Sequence, residues 1–160
     1  TVRILERLSD VYGPAVALTS FGCDEAELAT EGLRMSGSIS HKGVLSRKGM
    51  ADLLRQTDLF LDLSDYQAFG RTGLEGMACG VVPVLPVFGG VSEYARHRDN
   101  AYIVDPRSDD QILDAVAEFV ADEESVRHRM KMAGVRTAQS YSITRASLSE
   151  YEIFSRYLGL

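Results

Sequence analysis

The stretch Ser64–Gly80, SDYQAFGRTGLEGMACG, combines the side chains and glycines that an anion-binding loop needs. An apolar run ends at Ser64, a short polar loop follows, and a helix is predicted to begin near Gly70. The free amides at the start of such a helix attract anions without any side chain. Gly70 lets a ligand approach the backbone closely, and Arg71 adds a forked cationic donor that suits phosphate.

Glu75 lies one turn further along the same predicted helix. A carboxylate at that position can accept two hydrogen bonds from a vicinal diol such as a ribose, as acidic residues do in dinucleotide sites. An ordinary strand–loop–helix connection with a surface arginine and glutamate explains the same residues. On the chemistry alone, both interpretations stay open.

The elements that must position these residues alternate along the chain. Apolar runs predict strands at 15–21, 58–64, 81–86 and 101–106, with a shorter candidate at 37–41. Helices are predicted at 4–12, at 24–32, after Ser46, at 70–80, after the pair Gly89-Gly90, after Ser108, at 123–140 and at 144–158. Strands that are apolar throughout are typical of a parallel sheet covered on both faces. The sequence therefore predicts an α/β fold, a Rossmann-like parallel sheet with helices on both faces, that binds ligands at the carboxyl ends of its strands. The all-helical C-terminal part is expected to wrap back over the domain edge.

Composition narrows the class of protein. With 160 residues, 45% hydrophobic and 25% charged, the chain is not intrinsically disordered, and no apolar run approaches the roughly 18 residues of a transmembrane segment. A net charge of −6 argues against nucleic acid as a partner. Cys23 and Cys79 imply neither a disulfide scaffold nor a metal site, so a cytoplasmic location is expected.

A longer motif surrounds the candidate loop. The chain reads Gln67-Ala68-Phe69-Gly70, then Leu74-Glu75-Gly76-Met77-Ala78-Cys79-Gly80, Pro83-Val84 and Gly89-Gly90-Val91-Ser92-Glu93. This pattern resembles the donor-site signature of retaining glycosyltransferases with the GT-B fold, glycosyltransferase family four, group 1. In that signature Glu-Gly-Phe-Gly precedes Leu-Glu-Ala-Met-Ala-Cys-Gly, a Pro-Val strand, a Gly-Gly pair and a glutamate. The upstream segment 41–64 also resembles the family, so the similarity covers most of the chain.

The resemblance implies roles for individual residues. Glu75 would hold the ribose hydroxyls. Gln67 and Arg71 would be the catalytic residues, Gln67 in contact with the donor sugar or its phosphates and Arg71 in contact with phosphate. The amides of Phe69, Gly70 and Arg71 would meet the diphosphate. The remaining residues implied to bind the nucleotide are Thr72, together with Val44 and Leu45 at the base, and Gly89 and Gly90 in a loop near the donor. Gln67 replaces the glutamate of the family, although an amide still accepts and donates hydrogen bonds, so Gln67→Glu is expected to be tolerated.

The resemblance also implies an activity, the transfer of a sugar from a nucleotide-diphosphate donor to a glycan or other acceptor with retention at the anomeric carbon. No bound metal and no enzyme nucleophile are expected. The chain opens inside a predicted helix, so residues 1–160 are expected to be one Rossmann-like nucleotide-sugar-binding domain of a longer enzyme. Its N-terminal half would hold the acceptor and the family's phosphate-binding Arg and Lys, and could bring the protein to the inner face of the membrane. Arg71 is expected to substitute in part for those two residues.

Two other interpretations follow from the sequence. The neutral Gln67 is compatible with a non-catalytic nucleotide-sugar-binding module. A flavodoxin-like signalling receiver is disfavoured, because VPVLPVFGG lacks the lysine that receivers need after a late strand. Asp62 is expected to be a structural hydrogen-bond acceptor or a site residue, and His41 a surface or packing residue.

Overall fold

The computed structural model describes residues 1–159. The strands are Leu18–Ser20 (β1), Ile39–His41 (β2), Leu59–Leu61 (β3), Val82–Pro86 (β4) and Tyr102–Val104 (β5). The helices are Val2–Tyr12 (α1), Glu25–Thr30 (α2), Arg47–Leu54 (α3), Arg71–Ala78 (α4), Asp109–Ala121 (α5), Glu124–Gln139 (α6) and Ile143–Leu158 (α7). Short 3-10 turns occupy Gly13–Ala15 and Gly90–Glu93. Within residues 1–159, no helix is long and apolar enough to cross a membrane.

All strand pairs are parallel, as the continuous apolar runs predicted. β4 lies between β3 and β5, with Val84 opposite both Leu61 and Tyr102, and every residue of β4 is buried. The expected single sheet is divided in its hydrogen bonding, because β1 and β2 pair separately. Phe21, just after β1, stacks on Phe60 of β3 with ring centroids 6.2 Å apart, so side-chain packing joins the two parts.

Helices cover both faces of the three-stranded sheet. Side chains alternate along β4, so Val84 faces one hydrophobic cluster and Leu85 faces the other. The first cluster contains Ile4 and Leu8 of α1 together with Ile112, Val116 and Phe119 of α5. The second contains Met77 of α4 with Val91, Tyr94 and Ala95. This arrangement confirms the predicted Rossmann-like α/β fold.

Local capping fixes where most helices begin. Ser46 accepts a hydrogen bond from the Gly49 amide at 3.1 Å, and Ser108 accepts one from Gln111 at 3.3 Å, so both predicted caps are confirmed. The prediction of a helix after the glycine pair is wrong, because only the four-residue 3-10 turn Gly90–Glu93 forms there.

The C-terminal helices behave differently from each other. α6 packs closely on α4, where a Cβ added at Gly134 would lie 3.2 Å from Met77 Cγ. α7 buries none of its residues, so the expectation that the C-terminal part wraps over the domain holds for α6 and is wrong for α7. The large apolar side chains that α7 exposes are Ile143, Leu148, Tyr151, Ile153, Phe154, Tyr157 and Leu158.

Candidate functional site

The candidate site lies at the carboxyl ends of β3 and β4 and the amino end of α4. Asp62 directly follows β3, and the pair Gly89-Gly90 follows β4. Gln67 forms a parallel bridge with Gly89, and the Gly90 amide donates to the Gln67 carbonyl at 2.8 Å. Parallel strands bring their carboxyl ends to one edge, which is why two loops distant in sequence meet here.

The glycine pair is required by this close approach. Gly89 has φ 107° and ψ −157°, a region almost restricted to glycine. A Cβ at Gly89 would overlap the Gln67 carbonyl oxygen and lie 2.8 Å from its carbon, and one at Gly90 would lie 3.0 Å from Phe69 Cα. Both glycines therefore pack against the loop that contains Gln67. Their predicted role near the donor stays a prediction.

Asp62 organises the loop as a hydrogen-bond acceptor. Its side chain is 8% exposed and accepts from Ser64 Oγ at 2.6 Å and from Thr72 Oγ1 at 2.9 Å. It also accepts from the Ser64 amide at 3.3 Å and from Gln67 Nε2 at 3.1 and 3.0 Å. Within residues 1–159 it forms no ion pair, so hydrogen bonds alone stabilise this carboxylate. Asp62 is thus a hydrogen-bond acceptor for the loop, the first of the two roles expected for it, and it lies inside the candidate site.

Gln67 is held by its amide nitrogen. Nε2 donates to both carboxylate oxygens of Asp62 and approaches Ser64 Oγ at 2.8 Å. Gln67 Oε1 has no hydrogen-bond partner in the described part of the chain, and it is not an enclosed atom. The side chain therefore has a free acceptor and no free donor.

The amino end of α4 has no side-chain cap. Gly70 occupies the N-cap position with φ 80°, and the amides of Arg71, Thr72 and Gly73 find no acceptor among residues 1–159. Unsatisfied amides at a helix start carry partial positive charge and can bind an anion. These three amides lie beside Arg71 at the loop where the sequence predicted an anion site, and they overlap the predicted set of amides (Phe69, Gly70 and Arg71) only at Arg71.

Tyr94 holds the N-cap in place. Its hydroxyl donates to the Gly70 carbonyl at 2.6 Å, and its side chain is 3% exposed. Burial raises the pKa of the Tyr94 phenol, and the negative charge of Asp62 raises it further, so the hydroxyl remains a donor at neutral pH. A Cβ at Gly70 would lie 2.7 Å from this hydroxyl oxygen, which leaves room only for glycine.

Phe69 of the loop packs in an aromatic cluster with Tyr94 and Tyr141. The ring centroids of Phe69 and Tyr94 are 5.5 Å apart, and Tyr141 lies 5.8 Å from Phe69 and 6.2 Å from Tyr94. The Tyr141 hydroxyl also donates to the Glu93 carbonyl at 3.2 Å. Sequence reasoning missed both tyrosines. The position of Tyr94 directly after the Gly-Gly…Glu motif was the available signal, whereas nothing local marked Tyr141.

Arg71 and Glu75 are one turn apart on the exposed side of α4. Arg71 Nη2 lies 3.4 Å from Glu75 Oε1, and their side chains are 76% and 40% exposed. Such a pair contributes little to stability, so both groups are available to a ligand. The Thr72 hydroxyl donates to Asp62, so the amide is the group of Thr72 that is left for an anion.

The loop predicted to contact a base lies after β2. Val44 is 71% exposed at its tip, and Leu45 is half-buried. His41 stabilises this region, because its Nε2 contacts the Cys23 carbonyl at 3.0 Å and its Nδ1 contacts Ser20 Oγ at 2.9 Å. A carbonyl only accepts, so Nε2 carries a proton. Among residues 1–159 no hydrogen bond or ion pair links this loop to the Gln67 loop.

Comparisons with known proteins agree with this fold and motif. The family model described as glycosyl transferases group 1 matches residues 11–136. N-acetyl-alpha-D-glucosaminyl L-malate synthase of Bacillus anthracis is 31% identical over 103 residues, which are 64% of this chain and 27% of that protein.

Two solved structures show the same fold at low identity. Sucrose-phosphate synthase from Thermosynechococcus elongatus has a TM-score of 0.80 at 15% identity, over 99% of this chain and 42% of that chain. Anabaena Alr3699/HepE in complex with UDP-glucose has a TM-score of 0.79 at 20% identity, over 96% and 44%. The chain thus spans less than half the length of each of these three proteins. Since the family model covers most of the chain and the fold is that of the GT-B glycosyltransferases, this protein belongs to the group 1 glycosyl transferases.

Proposed function

We propose that residues 1–160 form the nucleotide-sugar-binding domain of a retaining glycosyltransferase. The observation that carries the proposal is the uncapped amino end of α4, with three free amides beside Arg71 at the carboxyl edge of a parallel sheet. The proposed anion is a diphosphate, because Glu75 lies one turn further along the same helix and is proposed to accept from a ribose diol. The UDP-glucose complex of Anabaena Alr3699/HepE supports the same ligand class.

In the proposed mechanism the protein positions the donor and stabilises charge. The free amides and Arg71 hold the diphosphate as it departs, and Glu75 fixes the ribose. Val44 and Leu45 contact the base, and the departing phosphate helps to deprotonate the acceptor hydroxyl. The sugar moves to a glycan or other acceptor with retention at the anomeric carbon, without a bound metal or an enzyme nucleophile.

A further part of the protein is proposed to complete the enzyme. α7 exposes a long row of aliphatic and aromatic side chains and buries none, which supports a neighbouring domain that covers it. The three relatives described above are also more than twice as long as the matched region. We therefore place the acceptor mostly on the rest of the protein.

A thermal-shift screen against UDP, GDP, ADP and dTDP tests the ligand class. A nucleoside diphosphate at 100 times its dissociation constant should stabilise the protein by about 2.7 kcal/mol. The matching nucleoside, which lacks the diphosphate, should stabilise it much less. If no nucleoside diphosphate at millimolar concentration raises the melting temperature, the proposal is wrong.

A radiolabelled donor assay tests the activity. The full-length protein should transfer sugar, and residues 1–160 alone should bind the nucleotide but transfer none, because acceptor positioning supplies roughly 7–11 kcal/mol of the barrier. Multiple turnovers by residues 1–160 would contradict the proposed division of labour. Nucleotide-sugar binding by the full-length protein without transfer to any acceptor would instead favour a non-catalytic binding module.

A further inference from the structure

The structure contains an unusual charge arrangement at the candidate site. Asp62 is a buried carboxylate that forms no ion pair in the described part of the chain, and Gln67 Nε2 faces both of its oxygens at 3.1 and 3.0 Å. Ser64 and Thr72 provide the remaining hydrogen bonds, so each partner of Asp62 is a neutral donor.

This arrangement fixes which end of the Gln67 amide faces outward. An ionised carboxylate only accepts hydrogen bonds, so the amide must present its NH2 group to Asp62. Within residues 1–159, Oε1 is then the one polar side-chain atom of Gln67 left for a ligand. Gln67 can accept from a hydroxyl group, but it cannot donate to a phosphate oxygen without giving up its bonds to Asp62.

The same geometry makes position 67 sensitive to charge. A carboxylate in place of the amide would lie about as far from the Asp62 oxygens as Nε2 does, roughly 3 Å, where two like charges strongly oppose each other. The nearest cation along α4, Arg71, is paired with Glu75 on the exposed side of the helix. Thr72, in the first turn of α4, donates a hydrogen bond to Asp62. A displacement of Asp62 would therefore also shift the start of α4.

We propose that Asp62 is a positioning residue that keeps position 67 as a neutral hydrogen-bond acceptor and connects it to the start of α4. The proposal rests on the proposed function, because the group that Oε1 accepts from is a hydroxyl of the sugar moiety of the donor. It reverses the expectation from sequence that Gln67→Glu is tolerated. The carboxylate of this site belongs to position 62, and a second one at position 67 is incompatible with it.

An unfolding cycle tests the charge relationship without any ligand. Urea unfolding is compared for the unsubstituted protein, Gln67→Glu, Asp62→Asn and the double variant. Gln67→Glu should lower the folding equilibrium constant at least tenfold. The double variant should recover most of that loss, because one carboxylate again faces one amide. An unchanged midpoint for Gln67→Glu, or a double variant that shows only the sum of the two single losses, overturns the proposal.

A binding comparison tests the positioning role. Dissociation constants are measured by calorimetry for UDP and UDP-glucose, or for the diphosphate and hexose conjugate of whichever base gives the largest thermal shift. Asp62→Asn should weaken the sugar conjugate at least threefold more than the diphosphate alone. Ser108→Ala, which removes the cap of α5, is the control for general destabilisation and should change both constants equally.

The outcomes separate this inference from the proposed function. Equal weakening of both ligands by Asp62→Asn means a merely structural role and overturns the positioning proposal. If the unsubstituted protein binds no nucleotide, the proposed function fails and the ligand role of Gln67 fails with it. The unfolding cycle still decides whether Asp62 requires a neutral side chain at position 67.

Discussion

Gly89→Ala should destabilise the protein more than any other single methyl group added at the candidate site. Gly89 combines φ 107° with ψ −157°, and its backbone is pressed against Gln67. The added methyl would overlap the Gln67 carbonyl oxygen and lie 3.0 Å from its amide nitrogen. Because both contacts are with backbone, no rotation of a flexible side chain can relieve them.

Two costs determine the magnitude. Holding a non-glycine residue in this backbone region costs on the order of 1–3 kcal/mol. Forcing packed atoms apart costs typically another 1–3 kcal/mol. The expected loss is therefore about 2–6 kcal/mol of unfolding free energy. For a chain of this size each kcal/mol lowers the melting temperature by about 2–4 °C.

Gly80→Ala is the matched control. Gly80 also has a positive φ, 80°, but an added Cβ meets nothing within 4 Å. Only the conformational cost applies there, about 1–2 kcal/mol. Urea unfolding of both variants, with the slope m compared to show that the unfolded states match, isolates the effect of close approach to Gln67. Equal midpoints for the two variants would refute the role assigned to the bridge between the two loops.

The remaining predictions concern the ligand and the N-cap. Glu75→Ala should weaken nucleotide binding by about 1.5–3 kcal/mol, the usual range for hydrogen bonds to a charged group. Glu118→Ala is the control, because Glu118 is also a helix carboxylate paired with an arginine, and it should leave nucleotide binding unchanged. Arg71→Ala should weaken a nucleoside diphosphate far more than the nucleoside, with Arg55→Ala as the control from another exposed ion pair. Tyr94→Phe removes the shorter of two hydrogen bonds to the Gly70 carbonyl, leaves only the Leu74 amide at 3.4 Å, and should cost about 0.5–1.5 kcal/mol of unfolding free energy.

Each of these predictions has a result that contradicts it. Calorimetry showing unchanged nucleotide affinity removes Glu75 from the site. Equal losses for nucleoside and nucleoside diphosphate rule out a phosphate role for Arg71. A Tyr94→Phe variant as stable as the unsubstituted protein in urea means that the hydroxyl does not hold the N-cap.

Much of the fold could be predicted because its signals are local. Continuous apolar runs indicated the parallel strands, and Ser46 and Ser108 marked helix starts through side chains that bond within the next turn. The motif from Gln67 to Glu93 identified the loop and the helix that form the candidate site. The glycine pair was also identified, although the helix expected after it shortens to a 3-10 turn. The lack of a long apolar run and the net charge of −6 already argued against a transmembrane segment and against nucleic acid as a partner.

The hydrogen-bond partners of side chains at the site depend in part on contacts between residues that are distant in sequence. The Tyr94 hydroxyl reaches a carbonyl 24 residues earlier, and Tyr141 reaches one 48 residues earlier. Asp62 was visible in the sequence as a polar residue after an apolar strand, but its bonds to Gln67 and Thr72 depend on how the loop folds back over β3. Periodicity and caps report which residues are buried and where helices start, because those are properties of neighbouring positions. Which donor meets which acceptor across two loops is set by the packing of elements distant in sequence.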